Sequence, residues 1–392
     1  MEYKKFKDIQ ISRLGFGAMR LPVVDGNPQE IDQGKLDEMV DLAMSEGINY
    51  FDTAFSYHGG MSEVCLGKSL RRYHRNSFYL ASKMPGHELN PNLNPKATFE
   101  KQLEKCGVDY FDFYLLHNVC ELSIDVYTDE NLGIVDYLLE QKEKGKIKYL
   151  GFSTHASFQT LRHFLDIFPN TFDYVQLQLN YLDWTMQDAG EKYILLRERN
   201  LPVIVMEPVR GGTLASLEEK WVKEMKALRP EESVASWAFR FLQMLDGVQV
   251  VLSGMSNLEQ MKDNIKTFSS KKPLKENELA LLKNIAENLS DMLPCTACRY
   301  CTKNCPLDLD IPRLLKLYNE AKFSYATSIG MAIDALPENK RPSACIGCGN
   351  CKKSCPQGID IPILLKDFDE ILKKQKSWSE ICEERRRIAE GK

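Results

Sequence analysis

The stretch Phe51–Gly60, FDTAFSYHGG, decides how the rest of the chain is read. The apolar run Ile48–Phe51 predicts a buried strand that ends in the carboxylate Asp52, and five residues later Tyr57 stands in a glycine-flanked loop. A phenol, with an ordinary pKa of ~10, is a poor proton donor at neutral pH unless a cation nearby favours its ionised form. Two later strand-like runs offer such a group. Phe78–Met84, FYLASKM, carries Lys83 near its end, and Tyr110–His117, YFDFYLLH, ends in His117. Three successive strands thus finish in Asp, Lys and His.

On either side of this stretch the pattern alternates. Residues 3 to 14 predict a hairpin turning at Asp8, and Leu14–Met19 the first strand of a series. Helical periodicity follows at Lys35–Glu46, Glu63–Arg72, Pro95–Cys106 and Ile134–Lys144, each before another strand-like run, the last being Lys148–Ser153. The second half repeats the scheme. Strands are expected at Tyr174–Leu179, Pro202–Glu207 and Val248–Leu252, with helices near Phe158–Phe168, Glu191–Arg199, Glu231–Met244 and Leu258–Thr267. Eight strands alternating with helices predict an α/β fold, a closed (β/α)8 barrel of the TIM type, whose functional groups gather at the C-terminal ends of the strands. Asp52, Lys83 and His117 hold such positions.

A chain of 392 residues exceeds one barrel and leaves room for an appendage; the expected division is a barrel over 1–290 and a smaller, mainly helical domain over 291–392. With 51 basic and 55 acidic residues the net charge is -4, so no global field draws nucleic acid or anionic lipid, and a small-molecule substrate is expected. No apolar run approaches the ~20 residues of a membrane span, and the start, Met1-Glu-Tyr-Lys-Lys, lacks the apolar core of a signal peptide. A cytoplasmic location is the expectation.

Eight of the 12 cysteines fall in two compact clusters. CTACRYCTKNCPLDLDIPRLLKLYNE from Cys295 and CIGCGNCKKSCPQGIDIPILLKDFDE from Cys345 are one unit repeated at an offset of 50 residues. The spacing C-x2-C-x2-C-x3-C-P gives three thiolates to one four-iron cluster and turns the fourth toward its partner, whereas closed zinc sites draw two thiolates from each C-x2-C pair. Cys295, Cys298, Cys301 and Cys355 are therefore expected on one 4Fe-4S cluster, and Cys345, Cys348, Cys351 and Cys305 on the other. An IP-led helix follows each repeat, at Pro312–Ala321 and Pro362–Lys373, so the module resembles helical dicluster ferredoxins. Cys65, Cys106, Cys120 and Cys382 read as packing thiols, and Glu383-Glu-Arg-Arg-Arg as a solvated helix end.

The barrel pattern, with LGFGAMRLP near its start, GFSTH after the fifth strand, VQLQLN on the sixth and GMSNLEQMKDN after the eighth, resembles the aldo-keto reductase family over roughly residues 3 to 290. That resemblance implies a nicotinamide-dependent carbonyl reductase in which Tyr57 is the general acid, Lys83 lowers its pKa, Asp52 holds Lys83 and His117 orients the carbonyl. It also implies that Ser153 and Gln176 hold the nicotinamide carboxamide, that Met206, Pro208, Arg210 and Gly211 line the cofactor's path, and that Ser256, Asn257, Gln260, Asp263 and Asn264 grip the adenosine end. Met206 stands where the family commonly has an aromatic residue. No arginine occupies 257 or 260 to pair with a 2′-phosphate, so both NADP(H) and NAD(H) stay open.

Three functions remain open at this point. The barrel is a carbonyl reductase acting on an aldehyde, ketone or sugar, with clusters that are structural or sense redox state; or the clusters pass electrons between the barrel and a ferredoxin or other redox protein; or the barrel is a regulatory module that keeps its cofactor. Hydride carries two electrons and each cluster passes one, and no flavin fingerprint is visible to split the pair.

Overall fold

Eight parallel strands close into a barrel. In the computed structural model, β1 (Tyr3–Phe6) and β2 (Ile9–Ser12) form an antiparallel hairpin. The barrel strands are β3 (Leu14–Gly17), β4 (Tyr50–Asp52), β5 (Tyr79–Met84), β6 (Phe111–Val119), β7 (Ile147–Thr154), β8 (Tyr174–Gln178), β9 (Val203–Met206) and β10 (Val248–Ser253). Each pairs in parallel with the next, and β10 closes on β3 with Val251 opposite Leu14 and Ser253 opposite Phe16. The expected (β/α)8 architecture is present.

The structure describes residues 1–289, 293, 295 and 297–389 and divides into two compact units. One is Met1–Leu281 together with the chain from Arg385; the other is Leu282–Glu384. The boundary expected between 290 and 291 lies outside the described residues. Among these residues no helix is long and apolar enough to cross a membrane.

Side chains alternate across a strand, so every second residue faces the barrel interior. Tyr50, Ala81, Leu115, Tyr149, Tyr174 and Ile204 pack inside, with Phe6 of the hairpin set against Phe113 and Tyr149 at ring-centroid distances of 5.3 and 5.0 Å. Their neighbours Phe51, Leu80, Leu116, Leu150, Val175 and Val205 point out to the layer of helices. Steps of two along each strand from the inner set lead to Asp52, Lys83, His117, Ser153, Gln176 and Met206. The alternation that builds the core thus brings six expected site residues to one rim. Space inside is tight: a Cβ at Gly15 would lie 2.7 Å from Leu252, and one at Gly151 2.6 Å from the Tyr174 ring.

Helices observed at Gln33–Ser45, Met61–Leu70, Pro95–Cys106, Ile134–Glu143, Phe158–Ile167, Ala189–Glu198, Val234–Gln243 and Leu258–Phe268 match the expected eight to within a few residues. Those at Glu219–Leu228, Glu276–Leu289 and Thr327–Asp334 were not expected, and of Trp378–Ala389 only the end was. The basic run near the chain end lies inside the last of these, where Arg385 and Arg386 are half-buried rather than solvated.

In the Leu282–Glu384 unit the two repeats pack against each other through equivalent positions. Helices Ile311–Phe323 and Ile361–Lys373 pack through equivalent residues: Leu309 with Ile359, Ile311 with Ile361 and Leu315 with Leu365 share one core. The rings of Tyr318 and Phe368, also 50 apart, meet at 5.8 Å. Asn304 Nδ2 donates to Ser354 Oγ at 2.7 Å, again between equivalent positions.

Candidate active site and cluster cavities

Lys83 is 1% exposed and Asp52 2%, which would be costly for lone charges. They answer each other. Lys83 Nζ donates to Asp52 Oδ1 at 2.5 Å and to the Thr53 carbonyl at 2.7 Å. The same ammonium lies 4.9 Å from the centre of the Tyr57 ring, and its charge acts on the phenol. His117 stands edge-on to Tyr57 at 5.9 Å, and His87 packs on His117 at 4.1 Å. The structure therefore brings Asp52, Tyr57, Lys83 and His117 together.

Two devices hold this group. His58, with φ of 53°, donates from Nδ1 to the Pro28 carbonyl at 2.7 Å and accepts at Nε2 from Leu21 N at 3.1 Å, which ties the Tyr57 turn to the segment before it. Glu63, fully buried, accepts from Ser82 Oγ at 2.6 Å and from Gln102 and Lys105, both at 2.7 Å. It fastens the helix after Tyr57 to the strand that carries Lys83. Neither His58 nor Glu63 was anticipated; an ordinary histidine and an ordinary helix glutamate carry no mark of burial in sequence.

Burial drives Lys83 toward the neutral form, but Asp52 and Tyr57 outweigh it and its pKa stands above the ordinary value, so the ammonium is charged. Tyr57 departs from expectation. Lys83 does pull its pKa down, yet desolvation pushes harder the other way, and the phenol holds its proton above the usual value of 10. His117 lies well below its usual range through burial, then His87 and Lys83, and is a neutral imidazole. Burial likewise lowers His87 to about 3 and His155 to about 4.

Beside Tyr57 opens a cleft of about 310 Å³. Of the expected cofactor residues, Gln176, Met206, Pro208, Gly211, Ser256, Gln260, Asp263 and Asn264 line it. Ser153, Arg210 and Asn257 are not on that wall. Ser153 Oγ accepts from Asn118 N at 2.7 Å, Arg210 sits 3.3 Å from the buried Asp183, and Asn257 caps the helix Leu258–Phe268 by accepting from Gln260 N at 2.9 Å. The cleft also takes in Gly17, Arg20, Glu207, Ser253 and Gly254, none of them singled out in sequence. Arg20 and Glu207 approach to 3.9 Å across it. The run LGFGAMRLP held the only clue, a cation just after a glycine-punctuated strand. Trp184, in the segment after β8, packs between Tyr193 and Phe241 at 6.0 and 5.6 Å.

This cleft fits a nicotinamide in one further respect. Gln176 Oε1 is buried without a hydrogen-bond partner, the state of an acceptor awaiting an amide donor.

In the second unit, one cavity is ringed by Cys295, Cys298, Cys301 and Cys355 and walled by Pro312, Leu315 and Ile359. Its counterpart is ringed by Cys345, Cys348, Cys351 and Cys305 and walled by Leu309, Ile311 and Leu365. Each cavity draws three thiols from one repeat and the fourth from the other. An apolar chamber with four thiols fits a four-iron cluster.

Comparison with known proteins decides the family: residues 13–287 match the model of the aldo/keto reductase family. The chain belongs to that family. Residues 294–359 match a 4Fe-4S dicluster domain. Among aldo/keto reductase relatives, the probable aldo-keto reductase 1 of Glycine max is 29% identical over 211 residues, 52% of this chain and 57% of that protein. The NADH-specific methylglyoxal reductase of Escherichia coli K12 is 24% identical over 330 residues, 72% of this chain and 97% of that one. The solved holo form of aldo-keto reductase AKR11C1 from Bacillus halodurans shares the fold, with a TM-score of 0.59, 24% identity and coverage of 73% of this chain and 96% of that one. With family and oxidoreductase relatives in agreement, this aldo/keto reductase is an NAD(P)-dependent oxidoreductase.

Proposed function

We propose that the barrel reduces the carbonyl of a small aldehyde, ketone or sugar, with Tyr57 as the proton donor. The observation that carries this reading is a protonated phenol set over a buried ammonium that Asp52 fixes at 2.5 Å. NADP(H) or NAD(H), held along the cleft by Gln176, Met206, Pro208, Gly211, Ser256, Gln260, Asp263 and Asn264, supplies hydride when bound. Asn257, by capping the helix that carries Gln260, Asp263 and Asn264, fixes that end of the wall.

The raised pKa of Tyr57 suits a donor that keeps its proton until negative charge grows on the substrate oxygen. As that charge grows, Lys83 stabilises the phenolate left behind, and its field, fixed in advance by Asp52, needs no reorganisation. His117, being neutral, donates one hydrogen bond to the carbonyl without competing for the proton. In the reverse direction Tyr57 takes the proton back.

Tyr57→Phe is the test. Carbonyl-dependent oxidation of NAD(P)H should fall by a factor of about 10²–10⁴, the usual contribution of a general acid, while nicotinamide binding measured by fluorescence stays within about twofold. Turnover near that of the parent would remove Tyr57 from the reaction.

A second reading concerns the tail, proposed as a two-cluster domain over 291–392. Cys298 and Cys348 are exposed, one beside each cavity, with Tyr300 and Ile346 exposed next to them. Clusters held there would exchange single electrons with a ferredoxin or other redox protein. Anaerobic mixing with NADPH separates the cases: bleaching of cluster absorbance supports electron transfer through the barrel, and carbonyl-dependent NADPH loss with unchanged clusters supports a structural or sensing role.

A further inference from the structure

The loop that carries Tyr57 has a second face. Phe55, Ser56, Gly59 and Gly60 form one wall of a cavity of about 820 Å³ that shares no lining residue with the cofactor cleft. Its other residues all belong to the same compact unit, which includes the chain from Arg385. The volume is that of a pocket for a small molecule.

Its charge is one-sided. Lys101, Lys105, Arg385 and Arg386 line it against a single carboxyl, Glu88. Lys105 already serves Glu63 at 2.7 Å and leans toward the Phe55 carbonyl at 3.4 Å, so it contributes field more than a free donor. Lys101 is exposed and Arg386 half-buried. Glu88 is the informative group. It lines the cavity at 9% exposure, and its Oε1 is buried with no hydrogen-bond partner. Burial raises its pKa against the fields of the arginines and Lys105, and its oxygens offer acceptor positions. Unsatisfied buried polar atoms are uncommon in folded proteins, and a side chain that lines a cavity while one of its oxygens lacks a partner has hydrogen-bonding capacity to offer a polar ligand atom.

We propose that this cavity binds a phosphate monoester of a small polyhydroxylated molecule, with Arg386, Lys101 and Lys105 around the phosphate and Glu88 on a hydroxyl. A dianion answers several converging cations where a single carboxylate would leave them in excess, and the guanidinium fork matches phosphate oxygens. Because the loop Phe55–Gly60 is one wall, occupancy would also quiet the segment that holds Tyr57. The binding claim stands apart from the reductase reading, since neither Tyr57 nor the cleft takes part.

Calorimetric titration of the full, anaerobically reconstituted protein, with saturating NADPH present, tests it with three probes: inorganic phosphate, glucose 6-phosphate and glucose. The ester should bind saturably and about tenfold tighter than phosphate, and glucose should not bind measurably. Lys101→Glu and Arg386→Glu should each weaken the ester by about tenfold or more, and Glu88→Ala should erase its advantage over phosphate. Lys101 is exposed, so its variant keeps the fold in question out of doubt. Amide exchange across residues 55–64 should slow with the ester bound. No saturable binding, binding untouched by Lys101→Glu and Arg386→Glu, or loss of binding only when NADPH is added would each overturn the proposal, the last by moving the ester to the cofactor cleft.

Discussion

The barrel mouth and the Leu282–Glu384 unit bury their polar groups in opposite ways. At the mouth, protein answers protein: Lys83 sits on Asp52, and Glu63 gathers Ser82, Gln102 and Lys105. A double layer of apolar side chains, inside the strands and between strands and helices, surrounds these contacts. In the other unit the inward groups are thiols that ring two cavities, and the shared core of the repeats is a thin line of residues such as Ile311, Leu315, Ile361 and Leu365. The first region is finished without its ligands; the second is organised around what fills it. Chemistry at the mouth can therefore be tuned by single side chains, whereas the cluster unit stands or falls as a whole.

Removing the iron makes the largest demand on this contrast. Anaerobic chelation should expose residues 297–384 to limited proteolysis and leave the barrel resistant, because metal binding there carries folding free energy. With the two clusters proposed for this unit, Cys355→Ser should lower bound iron from about eight to about four per chain, although Cys355 lies in the repeat opposite to Cys295, Cys298 and Cys301. Protection of 297–384 that persists after the iron has gone breaks the comparison.

Next comes the buried pair. Asp52→Ala leaves the Lys83 ammonium uncompensated and should cost about 3–5 kcal/mol in urea denaturation. The double variant with Lys83→Met, which removes both charges, should recover most of that. A single-variant cost below about 1 kcal/mol would mean that water reaches Lys83 and the mouth is not closed by its own contacts.

How much of this was legible in sequence follows from the same contrast. Strand positions were readable because inward and outward residues alternate, and that alternation placed Asp52, Lys83 and His117 on one rim. The cysteine spacing was more explicit still, since thiols three residues apart in duplicate have few other uses. What escaped was whatever depends on two distant segments meeting. Arg20 and Glu207 flank the cleft from the segments that follow β3 and β9, 187 positions apart, and the net direction of the Tyr57 pKa depends on how dry the site is. Arg385 and Arg386 looked like solvated charges because nothing in their own neighbourhood announces Glu88.

Acid sharpens the contrast at intermediate size. His87 is held near a pKa of about 3 against an ordinary 6.5, so the unfolded chain takes up its proton first as the pH falls. This contribution is whole above about 6.5 and is lost toward 3, amounting to ~3 kcal/mol by pH 4, and His155 works in the same direction. The Leu282–Glu384 unit contains no histidine. Urea denaturation followed by the fluorescence of Trp184, Trp221 and Trp237 should show the barrel weakening between pH 7 and 4, and His87→Phe should flatten that slope. An unchanged slope would mean that the carboxylates set the acid response.

The smallest effect separates the helices of the two regions. Asn94 caps the helix Pro95–Cys106, its side chain accepting from Ala97 N at 2.9 Å, and Gly107 ends it at φ of 66°. At the start of Ile361–Lys373 the equivalent residue Asp360 makes no capping bond and instead pairs with Lys352 in a half-exposed contact. Asn94→Ala should thus cost about 1 kcal/mol, as loss of an N-cap does. Asp360→Ala should cost at most a few tenths, the worth of a surface ion pair. Equal costs would show that the cluster-unit helix relies on its own first turn after all, and that the chambers lined by Cys355 and Cys305 rest on helices with independent stability.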